Sequence, residues 1–150
     1  MRTITILLVS LFFSIGLARA DGGLVTLPSQ FSFEDTVNRF VAAVEGAELK
    51  VFSKIDHSAG AKKVGQSLRP TLLIIFGSPK VGTALMTSDQ RAGIDLPMKA
   101  LVWEDDQAKV WLGYNNPDRL FDRFAINDRE KVRKKVTGAL QKFAQKATQP

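Results

Sequence analysis

The sequence predicts an α+β domain: a mostly antiparallel sheet with long helices packed on one face. Two amphipathic stripes of helical period, near the start and at the end, supply the helices. Apolar runs of strand length lie between them, and the connections are short. One domain accounts for residues 31–147, with no internal repeat, no low-complexity tract and no second domain.

Each element has its own signal. Residues 21–30 (DGGLVTLPSQ) read as an opening strand or a loose N-terminal arm. Ser32 is placed to cap a helix, with Glu34 and Asp35 in its first turn. Val37, Phe40, Val41 and Val44 then repeat at i, i+3, i+4, i+7, and Gly46 suits the position just past the helix end. Residues 48–55 alternate, with Leu49, Val51, Ser53 and Ile55 on one face, as in a half-buried strand. Residues 57–65 predict a short helix. Thr71 to Phe76 (TLLIIF) is apolar without interruption, which predicts a central strand covered on both sides.

Gly77-Ser78-Pro79 breaks that run. Ser78 is placed to cap a helix and Pro79 to occupy its first turn, with the helix reaching about Met86. Residues 98–104 and 109–114 predict a hairpin around Asp105-Asp106-Gln107. Asn115-Asn116-Pro117 ends the second strand and starts a helical turn through Arg123. Asn127 with Glu130 reads as a capping box opening the last helix, whose buried stripe is Val132, Val136, Leu140 and Phe143.

Met1 to Ala20 reads as a secretory signal. Arg2 supplies the charge, Thr3 to Leu17 the apolar segment, and Ala18-Arg19-Ala20 the small-x-small cleavage pattern. The apolar segment is short for a spanning helix, which takes roughly 20 residues; the alternative to cleavage is a retained anchor. The expected location is periplasmic or secreted. Net charge is +6, and loss of Arg2 and Arg19 with the leader would lower it by two. There is no cysteine. Disulfides, thiolate metal sites, c-type haem attachment and lipoprotein acylation are thereby excluded, and the core alone must hold the fold.

The segments IDHSAGA, LRPTLLIIFGSPKVGTALM, DLPMKALVWED and VWLGYNNP together resemble the domain of unknown function 302 family, over about residues 31–143. Asp56-His57, Arg69-Pro70, Phe76-Gly77-x-Pro79, Leu96-Pro97 and Tyr114-Asn115 carry the resemblance. It implies a TBP-like (helix-grip) fold and a homodimer, and it implies no activity.

The stretch Ile55 to Pro79 holds the candidate chemistry. His57 is the only histidine and directly follows Asp56. An imidazole beside a carboxylate suits general acid–base work. Adjacent strand residues point to opposite faces, however, which favours Asp56 as a helix cap over a catalytic pair. Ser58 has no nucleophile-elbow pattern around it. Gly77 to Gly82 has phosphate-loop spacing, but Thr83 stands where the lysine belongs. His57, Met86 and Met98 are copper-ligand types without diagnostic spacing, and core packing explains the methionines more simply. No metal and no cofactor is expected.

The last helix carries Arg129, Lys131, Arg133, Lys134, Lys135, Lys142 and Lys146 without interleaved aromatics. That pattern excludes a base-stacking surface and leaves weak contact with an anionic membrane surface as an expectation. Trp103, Trp111, Tyr114 and Phe76 suit either an apolar pocket or the core.

The reading favoured by these residues is a non-enzymatic domain holding a small, partly apolar ligand, neutral or anionic, between helix and sheet. His57, Arg69 and Tyr114 would make polar contacts, and Phe76 and Met86 the wall. Two alternatives stand beside it: an enzyme with His57 as general acid or base, and a partner-binding accessory domain using the sheet edge or the basic helix.

Overall fold

A computed structural model describes residues 23–150 together with the backbone of Arg19–Asp21. The expected leader lies outside the described residues except for Arg19 and Ala20. Their backbone belongs to strand β1 (Arg19–Asp21), paired with β2 (Leu24–Pro28). Residues 21–30, left open between strand and arm, thus contribute a strand to the sheet.

The chain continues through α1 (Phe33–Glu45), β3 (Lys50–Asp56), α2 (His57–Lys63), β4 (Thr71–Gly77) and α3 (Pro79–Met86). After a 3₁₀ turn (Gln90–Ile94) come β5 (Met98–Glu104), β6 (Val110–Asn115), α4 (Pro117–Arg123) and α5 (Glu130–Thr148). The described strands form one sheet in the order β1-β2-β6-β5-β4-β3, antiparallel at every pairing. The expected α+β architecture is therefore present.

Register decides which residues share a face, because directly paired residues in a sheet lie on the same side. Three rows face the helices. They are Val51–Phe76–Met98, Ile74–Ala100–Tyr114–Val25 and Leu72–Val102–Leu112–Leu27. Phe76, Ile74, Ala100, Val102, Leu112, Leu27 and Tyr114 are all buried. Against them pack Val37, Phe40 and Val44 of α1 and Leu140, Phe143, Ala144 and Ala147 of α5. Phe40 sits at the centre, edge-on to Phe76 at 5.3 Å and to Phe143 at 6.5 Å between ring centroids. A smaller core (Leu85, Ala92, Leu120, Phe121, Ile126) joins α3 and α4 to the 3₁₀ turn.

Polar contacts fix the two long helices. Ser32 accepts the Asp35 N–H at 3.1 Å, the expected cap of α1. Arg39 lies 3.9 Å over the Phe31 ring and donates to the Lys146 and Gln149 carbonyls. A cation thereby sits on the negative end of α5. Arg133 of α5 holds α4 through Asp118 at 2.7 Å and Asp122 at 3.1 Å.

Four sequence expectations need correction. Gly46 closes α1 in right-handed geometry, and the left-handed residue of the turn is Glu48. Asn127 and Glu130 form no capping box, because α5 starts two residues too late; Arg129 is its N-cap and makes no side-chain cap. Strand β3 is an edge strand and largely exposed, and a bulge between Val51 and Ser53 ends the alternation read from sequence. Ser53 and Ile55 therefore face away from Val51's side of the sheet. Finally, β4 lies second from the edge, and among the described residues both cores lie on one of its faces. Its Leu73 and Ile75 are half-buried on the other face, outside both cores.

Candidate functional site

The face of the sheet turned away from the two cores is the most unusual surface of the molecule. Register puts three rows there: Ser53–Ile75–Lys99, Ile55–Leu73–Leu101–Gly113–Thr26, and Thr71–Trp103–Trp111–Pro28. Antiparallel sheets with one solvated face usually alternate apolar and polar residues along each strand. Here β4 and β5 are apolar on both faces; β1 extends the middle row with Arg19, paired to Thr26, and within the rows from β3 to β2 the one charged residue is Lys99. Its ammonium is turned to the Asp95 and Pro97 carbonyls at 3.1 and 2.9 Å. Ile55 is 41% exposed at one margin, and Leu73, Ile75, Leu101, Trp103 and Trp111 are half-buried.

Two tryptophans form the firmest part of this face. Trp103 and Trp111 stack at 6.3 Å with 15° between planes. Lys109 lies 4.7 Å over the Trp111 ring. Gly113 lets Trp103 lie down on the strand, since a Cβ there would meet the Trp103 ring at 3.0 Å. Asp105 orients Trp111 by accepting its indole N–H at 2.7 Å, and also accepts the Gln107 and Lys109 N–H groups at 2.9 Å. The Trp111 bond, and then the backbone bonds, hold the Asp105 carboxyl below its usual range. A carboxyl depressed in the folded state contributes stability above its unfolded pKa and loses it as pH falls through the folded value. Acidification below about pH 4, the ordinary carboxylate range, should therefore loosen the tryptophan pair. In Asp105→Ala, tryptophan emission followed against pH should lose this acid-side step; an identical titration would remove Asp105 from the role.

The residues singled out from sequence do not share one cavity. Asp56 caps α2, accepting the Ala59 N–H at 2.8 Å and the Ser58 hydroxyl at 2.6 Å. These bonds, Ser58's first, lower its pKa. Its carboxylate is thus occupied by its own helix, as the capping reading expected. His57 begins α2 and is exposed; Arg69 is exposed just before β4. Phe76 and Tyr114 are core residues under α1 and α5, and burial pushes the Tyr114 phenol up. Met86 lies at the end of α3, past the other end of β4. A strand of this length separates the Arg69 end from the Gly77 end by roughly 20 Å. Between the long helices and the sheet, Phe40 packs edge-on against both Phe76 and Phe143.

The basic helix is partly neutralised within the molecule. Arg129 donates to the Ala84 carbonyl, Arg133 pairs with Asp118 and Asp122, and Lys134 pairs with Glu130. Lys131, Lys135, Lys142 and Lys146 are exposed. Among the described residues there is no cluster of three or more His, Asp or Glu able to hold a metal.

Sequence reading missed the open face. The signal was present in TLLIIF and ALVW, apolar on both parities. TLLIIF alone reads as a strand covered on both sides and ALVW as a hairpin strand, because one chain's sequence does not show which neighbour does the covering.

Fold and surface define a class: an antiparallel α+β domain with its helices on one side and an apolar sheet face on the other. The chain belongs to the family described as Domain of unknown function DUF302, whose model matches residues 25–143. A crystal structure of an uncharacterized conserved DUF302 protein from Bacillus stearothermophilus is similar at a TM-score of 0.74 and 14% identity. That match covers 85% of this chain and 99% of the other, and shows the shared fold. Among curated proteins, the chain is 43% identical over 128 residues to "Fluoride-specific ion channel FluC 1" of Brucella suis, covering 83% of this chain and 50% of that protein. The same identity is found with "Fluoride-specific ion channel FluC 2" of Brucella melitensis, 47% of which is covered. The chain therefore spans about half the length of the curated relatives it matches.

Proposed function

We propose that this chain is an exported, non-catalytic interaction domain that pairs with a second copy of itself through the open face of its sheet. The observation that carries the reading is the apolar character of β4 and β5 on the side that no core covers. Five strands at about 4.8 Å spacing and three rows at about 7 Å give a face of roughly 25 by 20 Å, on the order of 500 Å² in flat projection. Upright side chains carry more accessible area than the projection. A standard interface takes about 800 Å² from each partner, so this face is of the size of an interface core.

Composition supports a second copy as the occupant. Interface cores are depleted in charge and enriched in aromatic residues. A chain of net charge +6 would repel its own copy across most surfaces, yet the β3-to-β2 rows of this face carry one charged residue, Lys99, turned aside to carbonyls, while Lys109 and Asp105 flank Trp111 at one margin with opposite charges. A two-fold contact needs a self-complementary surface, and a flat neutral sheet face provides one. Export rests on the leader read from the sequence. The arrangement in the Brucella proteins, where a region like this chain accompanies a further half, agrees with a domain that works beside another unit. Channel activity is a property of those whole proteins. Among the described residues of this chain no helix is long and apolar enough to cross a membrane.

Sedimentation equilibrium across a wide concentration range tests the pairing. A dimer mass that dissociates on dilution is expected. A monomer at every concentration would remove the reading, and capture of a different protein by the same face would replace the second copy with that partner.

A further inference from the structure

We infer that a cleft at the rim of the sheet, between the start of α3, the 3₁₀ turn and Leu96-Pro97, is a binding site for a small apolar molecule of about ring size. The cleft has a volume of about 290 Å³ and is lined mainly by Phe52, Met86, Leu96, Pro97 and three glycines, Gly77, Gly82 and Gly93. Its size lies at the lower end of ligand pockets, and a cavity of about 150 Å³ already suffices for benzene.

The glycines argue that the space is kept open. Gly82 lies inside α3, where glycine costs about 1 kcal/mol relative to alanine. Nothing in the backbone requires it: its φ is not positive, and an added Cβ would meet Leu96 and Met86 at an ordinary 3.9 Å. Gly77 closes β4 on the same terms, with a Cβ 3.7 Å from Phe52 and Pro97. Only at Gly93 is the fit tight, 3.2 Å from the Met86 sulfur. A side chain at Gly82 or Gly77 would be tolerated by the fold and would fill the cleft. Their common effect is to leave room.

The β3 bulge supplies the remaining wall. It falls between Val51 and Ser53, and bulges re-aim side chains. Phe52 is consequently 43% exposed with its ring edge beside Gly77, an aromatic side chain held at the mouth of the cleft. An apolar lining with an aromatic at the mouth, and a thioether (Met86) able to adapt to its contents, selects a flat apolar molecule over an ionic one.

The test uses indole as the probe and amide NMR shifts as the readout, with the full chain and two variants. Saturable shifts confined to residues 51–53, 77–86 and 93–98 are expected. Gly82→Leu, which fills the cleft, should weaken the indole affinity at least tenfold. Gly82→Ala should raise the melting temperature while weakening affinity, a combination that a purely structural glycine would not give. Because one chain builds the whole cleft, binding should persist in Leu101→Glu, a change to the middle of the open face. Non-saturable shifts, shifts centred on Trp103 and Trp111, or unchanged affinity in both glycine variants would overturn the site.

Discussion

Phe40→Ala should lower the unfolding free energy by about 3–5 kcal/mol, enough to leave much of the protein unfolded near its working temperature. The ring is fully buried and meets Phe76 from the sheet and Phe143 from α5 edge-on. Its removal therefore deletes the contact that joins α1, the sheet and α5 at one point. Collapse of the hole is opposed by packing on three sides, so transfer and cavity costs add. Urea unfolding followed by circular dichroism would read the change as a lower midpoint at unchanged slope. A loss below about 1 kcal/mol would show that the core relaxes around the site and that Phe40 is not its centre.

The second large effect concerns association. Leu101→Glu places a carboxylate in the middle of the open face, in the row of Ile55, Leu73 and Gly113. In the monomer that side chain can reach water along a half-buried surface, so the fold should survive with its melting temperature little changed. In the dimer two such carboxylates would be buried without partners. The self-dissociation constant should rise at least 100-fold, about 2.7 kcal/mol. Light scattering at matched concentrations reads the mass directly. A folded variant that still forms dimers would move the interface elsewhere, while Lys135→Glu on the exposed side of α5 should leave the mass unchanged.

How far the fold was legible follows from which forces are local. The amphipathic stripe of α1, the Ser32 cap, Pro79 at the start of α3 and the β5–β6 hairpin are written in neighbouring residues, and each is found where the sequence put it. The bulge at Phe52 is not, because it depends on the β4 register opposite. Nor is the Asp105–Trp111 bond, which spans a hairpin turn. Asn127 fails as a cap for a tertiary reason: Arg129 is drawn to the Ala84 carbonyl and Asp128 to Ser88, which fixes the segment before α5 in another shape.

The candidate site was less legible than the fold. His57, Arg69, Phe76, Met86 and Tyr114 were chosen for chemical type, and type does not report distance. Strand β4 keeps His57 and Arg69 at one end and Met86 at the other, and helix packing takes Phe76 and Tyr114 into the core. Met86 alone lines a cleft. The open face was hidden for the opposite reason. Its residues look like core in the sequence because they are suited to burial, and only the register shows that the described cores leave them half-buried on the other side of the sheet.

Hydroxyl-radical footprinting of Trp103 and Trp111 at high and low protein concentration reads whether the open face is covered by a second copy. Pairing through the open face predicts strong protection of both indoles at high concentration, lost on dilution and lost at all concentrations in Leu101→Glu. Equal modification of both indoles at high and low concentration, with the protein dimeric at the higher one, would contradict it.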